Sequence, residues 1–122
     1  MAKSILIIDD DTDYRNAIKH VFECHDYKVY EASNGKEGIE SYRRIAADII
    51  LADIFMPEKD GLETIREFKR EFPEAKIIAM SGIYSKTGYF LKVAGYLGAI
   101  LCIRKPFESD DLIKAVESAL EG

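Results

Sequence analysis

Five times along the chain a short apolar run gives way to a segment in which apolar side chains recur every three or four residues. The first run, Ser4–Ile8, is rich in isoleucine and reads as a buried strand that stops where acids begin. From Thr12 onward Tyr14, Ile18, Val21, Phe22 and His25 keep helical spacing behind an aspartate or threonine cap. Lys28–Ala32 predicts the second strand, Asn34-Gly35 a turn, and Ile39, Tyr42, Ile45 and Ala46 the inner face of a second helix. The third strand, 48–53, is apolar except at its two ends and runs into a loop, 54–61, marked by Pro57 and Asp60-Gly61. Leu62, Ile65, Phe68 and Phe72 line the third helix, which Pro73 stops, and 75–80 makes a fourth strand ending at Ser81-Gly82. Helix four is predicted over 85–97 and the fifth strand over 99–103. Leu112, Ile113, Val116, Ala119 and Leu120 line helix five.

This alternation is of the α/β class. Five βα units give a doubly wound, five-stranded parallel sheet, because right-handed crossovers return the chain to the same edge with helices on both faces. Parallel strands all finish on one side, and open α/β sheets bind ligands in the crevice outside those carboxyl ends. Asp9, Asp10, Asp53, Ser81 and Lys105 all fall there, so topology gathers residues almost a hundred positions apart.

Composition narrows the reading. With 122 residues at 48% hydrophobic the chain fills one core and has no room for a second domain of ordinary size, so 1–122 is read as one domain. A net charge of −5 with no basic run disfavours direct nucleic-acid binding and attachment to an anionic membrane. No apolar run approaches a membrane span, and the start, Met-Ala-Lys-Ser, lacks a signal-peptide pattern, which predicts a cytoplasmic protein. Cys24 and Cys102, far apart and placed among apolar neighbours, suit a reducing compartment.

Three carboxylates at adjacent strand ends repel one another unless a cation or Lys105 compensates. A hard divalent cation answers that charge. Magnesium takes one or two carboxylates directly and completes its shell with water and phosphate oxygens, which a phosphorylated Asp53 supplies. The Asp53 carboxylate can attack phosphorus while the metal and the Lys105 ammonium neutralise charge on the transferring group, and the Ser81 hydroxyl can donate to it. Alone, Asp10, Asp11 and Asp13 read as a capping, dipole-complementing cluster, and Asp11 and Asp13 are expected to stay so. Asp9, Asp11 and Asp13 mimic the start of a calcium loop, but Tyr14 and His20 stand where glycine and glutamate are needed. His20, Cys24 and His25 lack a fourth ligand for zinc.

Taken in order, Ile-Ile-Asp9-Asp10, Asp53-Ile-Phe-Met-Pro57 with Asp60-Gly61, Ser81-Gly82 and Lys105-Pro106-Phe107 resemble the receiver domains of two-component response regulators over essentially the whole chain. The resemblance implies a flavodoxin-like sheet with strand order 2-1-3-4-5. It implies a phosphorelay switch, not a multiple-turnover enzyme. Asp53 takes a phosphoryl group from a phosphohistidine of a sensor histidine kinase or histidine phosphotransfer protein. Asp10 and Asp53 ligate Mg2+, Asp9 does so directly or through water, and Phe55 contributes its backbone carbonyl. Lys105 contacts the phosphoryl group. Ser81 moves toward it and shifts the surface of helix four, strand five and helix five, which controls a downstream protein or output domain and admits a homodimer. The last predicted helix ends close to Gly122, which suits either a stand-alone regulator or the receiver part of a longer protein.

Two departures from the family's pattern carry expectations. Cys102 stands where the family often has a rotating aromatic, so output is expected to rely on the 83–88 loop and helix four, with Tyr84 or Tyr89 as the moving ring. Phe55 and Ile83 flank the path of hydrolytic water, and neither can orient it, which predicts slow loss of the phosphoryl group. Among rival functions, an aspartyl-phosphate phosphohydrolase needs its nucleophile at the first strand, and an FMN carrier needs a phosphate-cradling loop where this chain has acids. A pseudo-receiver needs none of the five site residues this chain carries.

Overall fold

The computed structural model describes residues 2–54, 61–81, 89–104 and 108–121. Strands β1 (Ser4–Ile8), β2 (Lys28–Ala32), β3 (Ile49–Asp53), β4 (Ile77–Ser81) and β5 (Leu101–Arg104) alternate with five helices. These are α1 (Thr12–Glu23), α2 (Gly35–Ile45), α3 (Gly61–Glu71), α4 (Tyr89–Leu97) and α5 (Ser109–Glu121). All strand pairs are parallel, and the order is β2-β1-β3-β4-β5, as expected.

The period-two alternation of the strands divides the core into two layers. Leu6, Ile8, Ile50, Ala52, Ile77 and Ala79 pack with Ile39, Tyr42, Ile65, Phe68 and Ala94 of α2, α3 and α4. Their neighbours Ile5, Ile7, Ile49, Leu51, Ile78 and Met80 pack with Ile18, Phe22, Leu112 and Val116 of α1 and α5. Because both faces are covered, the central strands β3 and β4 are buried at every position, which is why they read as unbroken apolar runs.

Caps fix where helices begin. Asp11 is the N-cap of α1 and accepts from the Tyr14 amide at 3.1 Å, the capping role expected of it. Asn34-Gly35, expected as a turn, is instead the start of α2. Asn34 accepts from the Glu37 amide at 2.9 Å while its own side chain donates back to Glu37, a reciprocal cap that a turn dipeptide also spells. Ala46 does not belong to the inner face of that helix: it is the exposed C-cap at φ 51°, and the buried apolar position is Ala47.

Later boundaries move by one or two residues. β5 begins at Leu101 because the Gly98 and Ala99 amides still bond back to the Ala94 carbonyl, closing α4 through Gly98 at φ 124°. β4 begins at Ile77 and includes Ser81, which is therefore its last strand residue. His25 lies past the end of α1, where its Nδ1 meets the Val21 carbonyl at 2.9 Å. The two cysteines, expected among apolar neighbours, are exposed.

Candidate functional site

The carboxyl ends of β1 and β3 build the site. One residue beyond β1, the Asp9 amide donates to the Ala32 carbonyl at 3.1 Å, which continues the ladder with β2 and leaves Asp9 fully buried. Its Oδ1 accepts from the Asp11 amide at 3.0 Å, which folds the chain into a tight turn and leaves Asp10 exposed at the corner. Asp53 closes β3 at 6% exposure, and the following amide, Ile54, donates to the Met80 carbonyl at 2.8 Å.

From this backbone, carboxylate oxygens of Asp9, Asp10 and Asp53 lie within 4.8 Å of one another. Two of the three carboxylates are withdrawn from water, so the cluster carries a desolvation penalty that a cation relieves. An all-oxygen donor set suits a hard cation such as Mg2+ and not a thiolate- or imidazole-loving metal. The residues present therefore fit the expected ion. Nearby on α1, the half-buried Tyr14 phenol is pushed above its ordinary range by burial first, then by the negative charge of Asp9, Asp53 and Asp11. The cluster's field thus reaches the first helix.

Ser81 is fully buried at the end of β4 and in register with Arg104 of β5. Its position is one residue past Met80, which pairs with Asp53, so Ser81 lies one step beyond Asp53 along the shared sheet edge. Lys105, one position after β5, lies outside the described residues, as do Phe55, Pro57, Asp60, Ile83, Tyr84, Pro106 and Phe107. Of the expected site, Asp9, Asp10 and Asp53 are thus brought together and Ser81 is placed at the same sheet edge.

Sequence reasoning passed over Arg15. Its guanidinium Nη1 donates to the Asp9 carbonyl at 2.6 Å and its Nε to Glu31 on β2 at 3.1 Å. Lys19 reaches the same Glu31 at 3.3 Å. The signal in the sequence was slight: a basic residue one turn into a helix, with an acid on the next strand.

Comparison with known proteins agrees with this fold. The chain matches the response regulator receiver domain over residues 5–117 and belongs to that family. It is 37% identical over 116 residues to the chemotaxis protein CheY of Listeria monocytogenes, covering 94% of this chain and 96% of that protein. Among solved structures it superposes on a CheY-like receiver domain protein from Methanospirillum hungatei with a TM-score of 0.91. That match has 28% identity and covers 99% of this chain and 95% of the other. NtrX from Brucella abortus, solved in complex with ADP, gives a TM-score of 0.92 at 28% identity, and there the chain spans only 27% of its counterpart while 99% of this chain is covered. The chain is thus a receiver domain of the two-component type, a signalling domain and not a classical enzyme. No helix among the described residues is long and apolar enough to cross a membrane.

Proposed function

We propose that this receiver domain is a phosphorylation switch whose phosphoacceptor is Asp53. The observation that carries the reading is the convergence of three carboxylates, two of them buried, at the ends of β1 and β3. Clustered carboxylates that repel one another at a strand-end crevice are a mark of a functional site. Asp10 and Asp53 would hold Mg2+ with the Phe55 carbonyl, and Asp9 directly or through water.

Bound Mg2+ supplies electrostatic neutralisation of the phosphoryl oxygens during transfer. The chain's own residues do the rest. A carboxylate oxygen of Asp53 forms a bond to phosphorus as the N–P bond of a phosphohistidine breaks, and the imidazole leaves with the electron pair and takes up a proton. Asp53 sits at the end of a strand buried on both faces, so its carboxylate has little freedom to leave the in-line position. Lys105 contacts the transferred group as a point charge, and Ser81 donates a hydroxyl hydrogen bond to it. The donor is a sensor histidine kinase or a histidine phosphotransfer protein.

Output follows from the change at Ser81, which is hydrogen-bond registered to β5 and thus to the α4–β5–α5 side. Ile100 and Leu101 are exposed there, and a downstream protein, an output domain or a second copy would read that surface. The test is intact-mass analysis after incubation with acetyl phosphate and Mg2+. A single-phosphate adduct is expected, absent in Asp53→Asn and absent without the metal. An adduct that survives Asp53→Asn sinks the assignment.

A further inference from the structure

The metal turn is held from outside its own motif. Asp9 is fixed through three groups: its amide on Ala32, its Oδ1 by the Asp11 amide, and its carbonyl by Arg15 Nη1 at 2.6 Å. The first two are local or belong to the sheet. The third comes from a side chain of α1 that is only 14% exposed and whose other nitrogen is anchored on Glu31 of β2. Glu31 is itself positioned by the ladder, in register with Ile7 of β1 two residues before Asp9. Arg15 therefore ties the peptide joining Asp9 and Asp10 to the sheet through a rigid planar fork with two attachments.

We propose that Arg15 is a positioning residue for the divalent cation, holding the Asp9–Asp10 peptide so that the exposed Asp10 carboxylate stays in register with Asp9 and Asp53. This rests on the metal reading above. Asp10 lies at the corner of the turn, so its side chain follows the orientation of the peptide that Arg15 clamps. Outer-shell partners that orient metal ligands typically matter by about ten- to a hundredfold in metal affinity when removed.

Charge and position make opposite demands here, which gives the idea a sharp test. If Arg15 acted only as a nearby positive charge, removing it would leave the site more negative and tighten Mg2+. If it positions the turn, removing it weakens Mg2+ despite the more favourable field. Lys19 is the internal control, because it touches the same Glu31 and has no hydrogen bond to Asp9 among those described.

The experiment is isothermal titration of Mg2+ chloride into the unaltered chain, Arg15→Met, Arg15→Lys and Lys19→Met, each checked by thermal unfolding in EDTA. Expected is a Kd on the order of tenfold higher for Arg15→Met, a smaller loss for Arg15→Lys, and no loss for Lys19→Met. Equal or tighter binding by Arg15→Met overturns the inference while leaving the metal site intact. Should Arg15→Met not fold, Arg15→Lys decides: it keeps charge and alkyl stem but not the fork, and an unchanged Kd overturns the proposal. An unaltered chain that takes up no Mg2+ overturns the metal reading as well as this one.

Discussion

Replacing Asp53 by asparagine should make the metal-free protein more stable, because it removes one charge from a cluster of three closely spaced carboxylates. Its oxygens lie no more than 4.8 Å from those of Asp9 and Asp10. At an effective dielectric of about 20, two unit charges at that separation repel by about 3.5 kcal/mol. That figure suits the buried Asp9–Asp53 pair, whereas the exposed Asp10 is screened by water and adds about 1 kcal/mol. Against this, an amide makes weaker hydrogen bonds than a carboxylate, which subtracts about 1.5–3 kcal/mol. The net expectation is a gain of about 1.5–3 kcal/mol, or roughly 6–12 °C in Tm for a domain of this size. The assay is thermal unfolding followed by circular dichroism, first in EDTA and then in Mg2+ chloride. Metal at tenfold its Kd stabilises the parent by about 1.4 kcal/mol through mass action, and the variant by less, so the gap should narrow or invert. An Asp53→Asn protein no more stable than its parent in EDTA, or one that gains equally from Mg2+, would refute the account of the cluster as repulsive and metal-relieved.

Three further outcomes follow from other parts of the molecule. Phe68 is fully buried and meets the Tyr42 ring edge-on at 5.5 Å, so Phe68→Ala should cost about 3–5 kcal/mol in urea unfolding, and a loss below 1 kcal/mol would contradict the packing described. Burial first, then the negative charge of Glu74 and Asp48, raises the Tyr42 phenol above its ordinary value of 10.0. Its protonated form is favoured by folding, so this contribution is fully present below pH 10 and is lost as pH rises beyond it. Tyr42→Phe should therefore flatten the alkaline fall of stability, and an unchanged slope above pH 10 counts against it. If the apolar Phe55 slows hydrolysis of the acyl phosphate, Phe55→Asn should shed its phosphoryl group faster in a 31P NMR time course, and an equal rate refutes that role.

How much of this was legible depended on whether the physics was local. Strand ends were readable because apolar runs stop abruptly at Asp9, Asp53 and Ser81, and because parallel topology alone gathers such ends. The cap at Asp11 was readable because its partner is three residues away. Misreadings arose where one short pattern serves two structures: Asn34-Gly35 spells a turn and a helix start alike, and Ala46 keeps helical spacing while its backbone has already left the helix. Ala99 looks like strand, yet it closes the end of α4 because a left-handed glycine precedes it, and Ile100, whose amide bonds the Ile77 carbonyl, leads into β5. The cysteines have apolar neighbours in sequence, but both are exposed, Cys102 on the edge strand β5.

Arg15 is the instructive miss. Helical periodicity relates a residue to neighbours three and four away, and strand periodicity to those two away. The partners of Arg15 lie six positions back and sixteen forward, one a backbone carbonyl and the other on β2. Nothing in a periodic pattern addresses that separation; it exists only once α1 has packed over the edge of the sheet and the register of β1 against β2 is set. A consequence follows for how such a domain can be tuned. On the proposed reading the carboxylates carry the chemistry, so substitutions there are expected to abolish function outright. A side chain that holds the turn from behind, as proposed for Arg15, would change metal affinity by degrees, without any alteration to Asp9, Asp10 or Asp53.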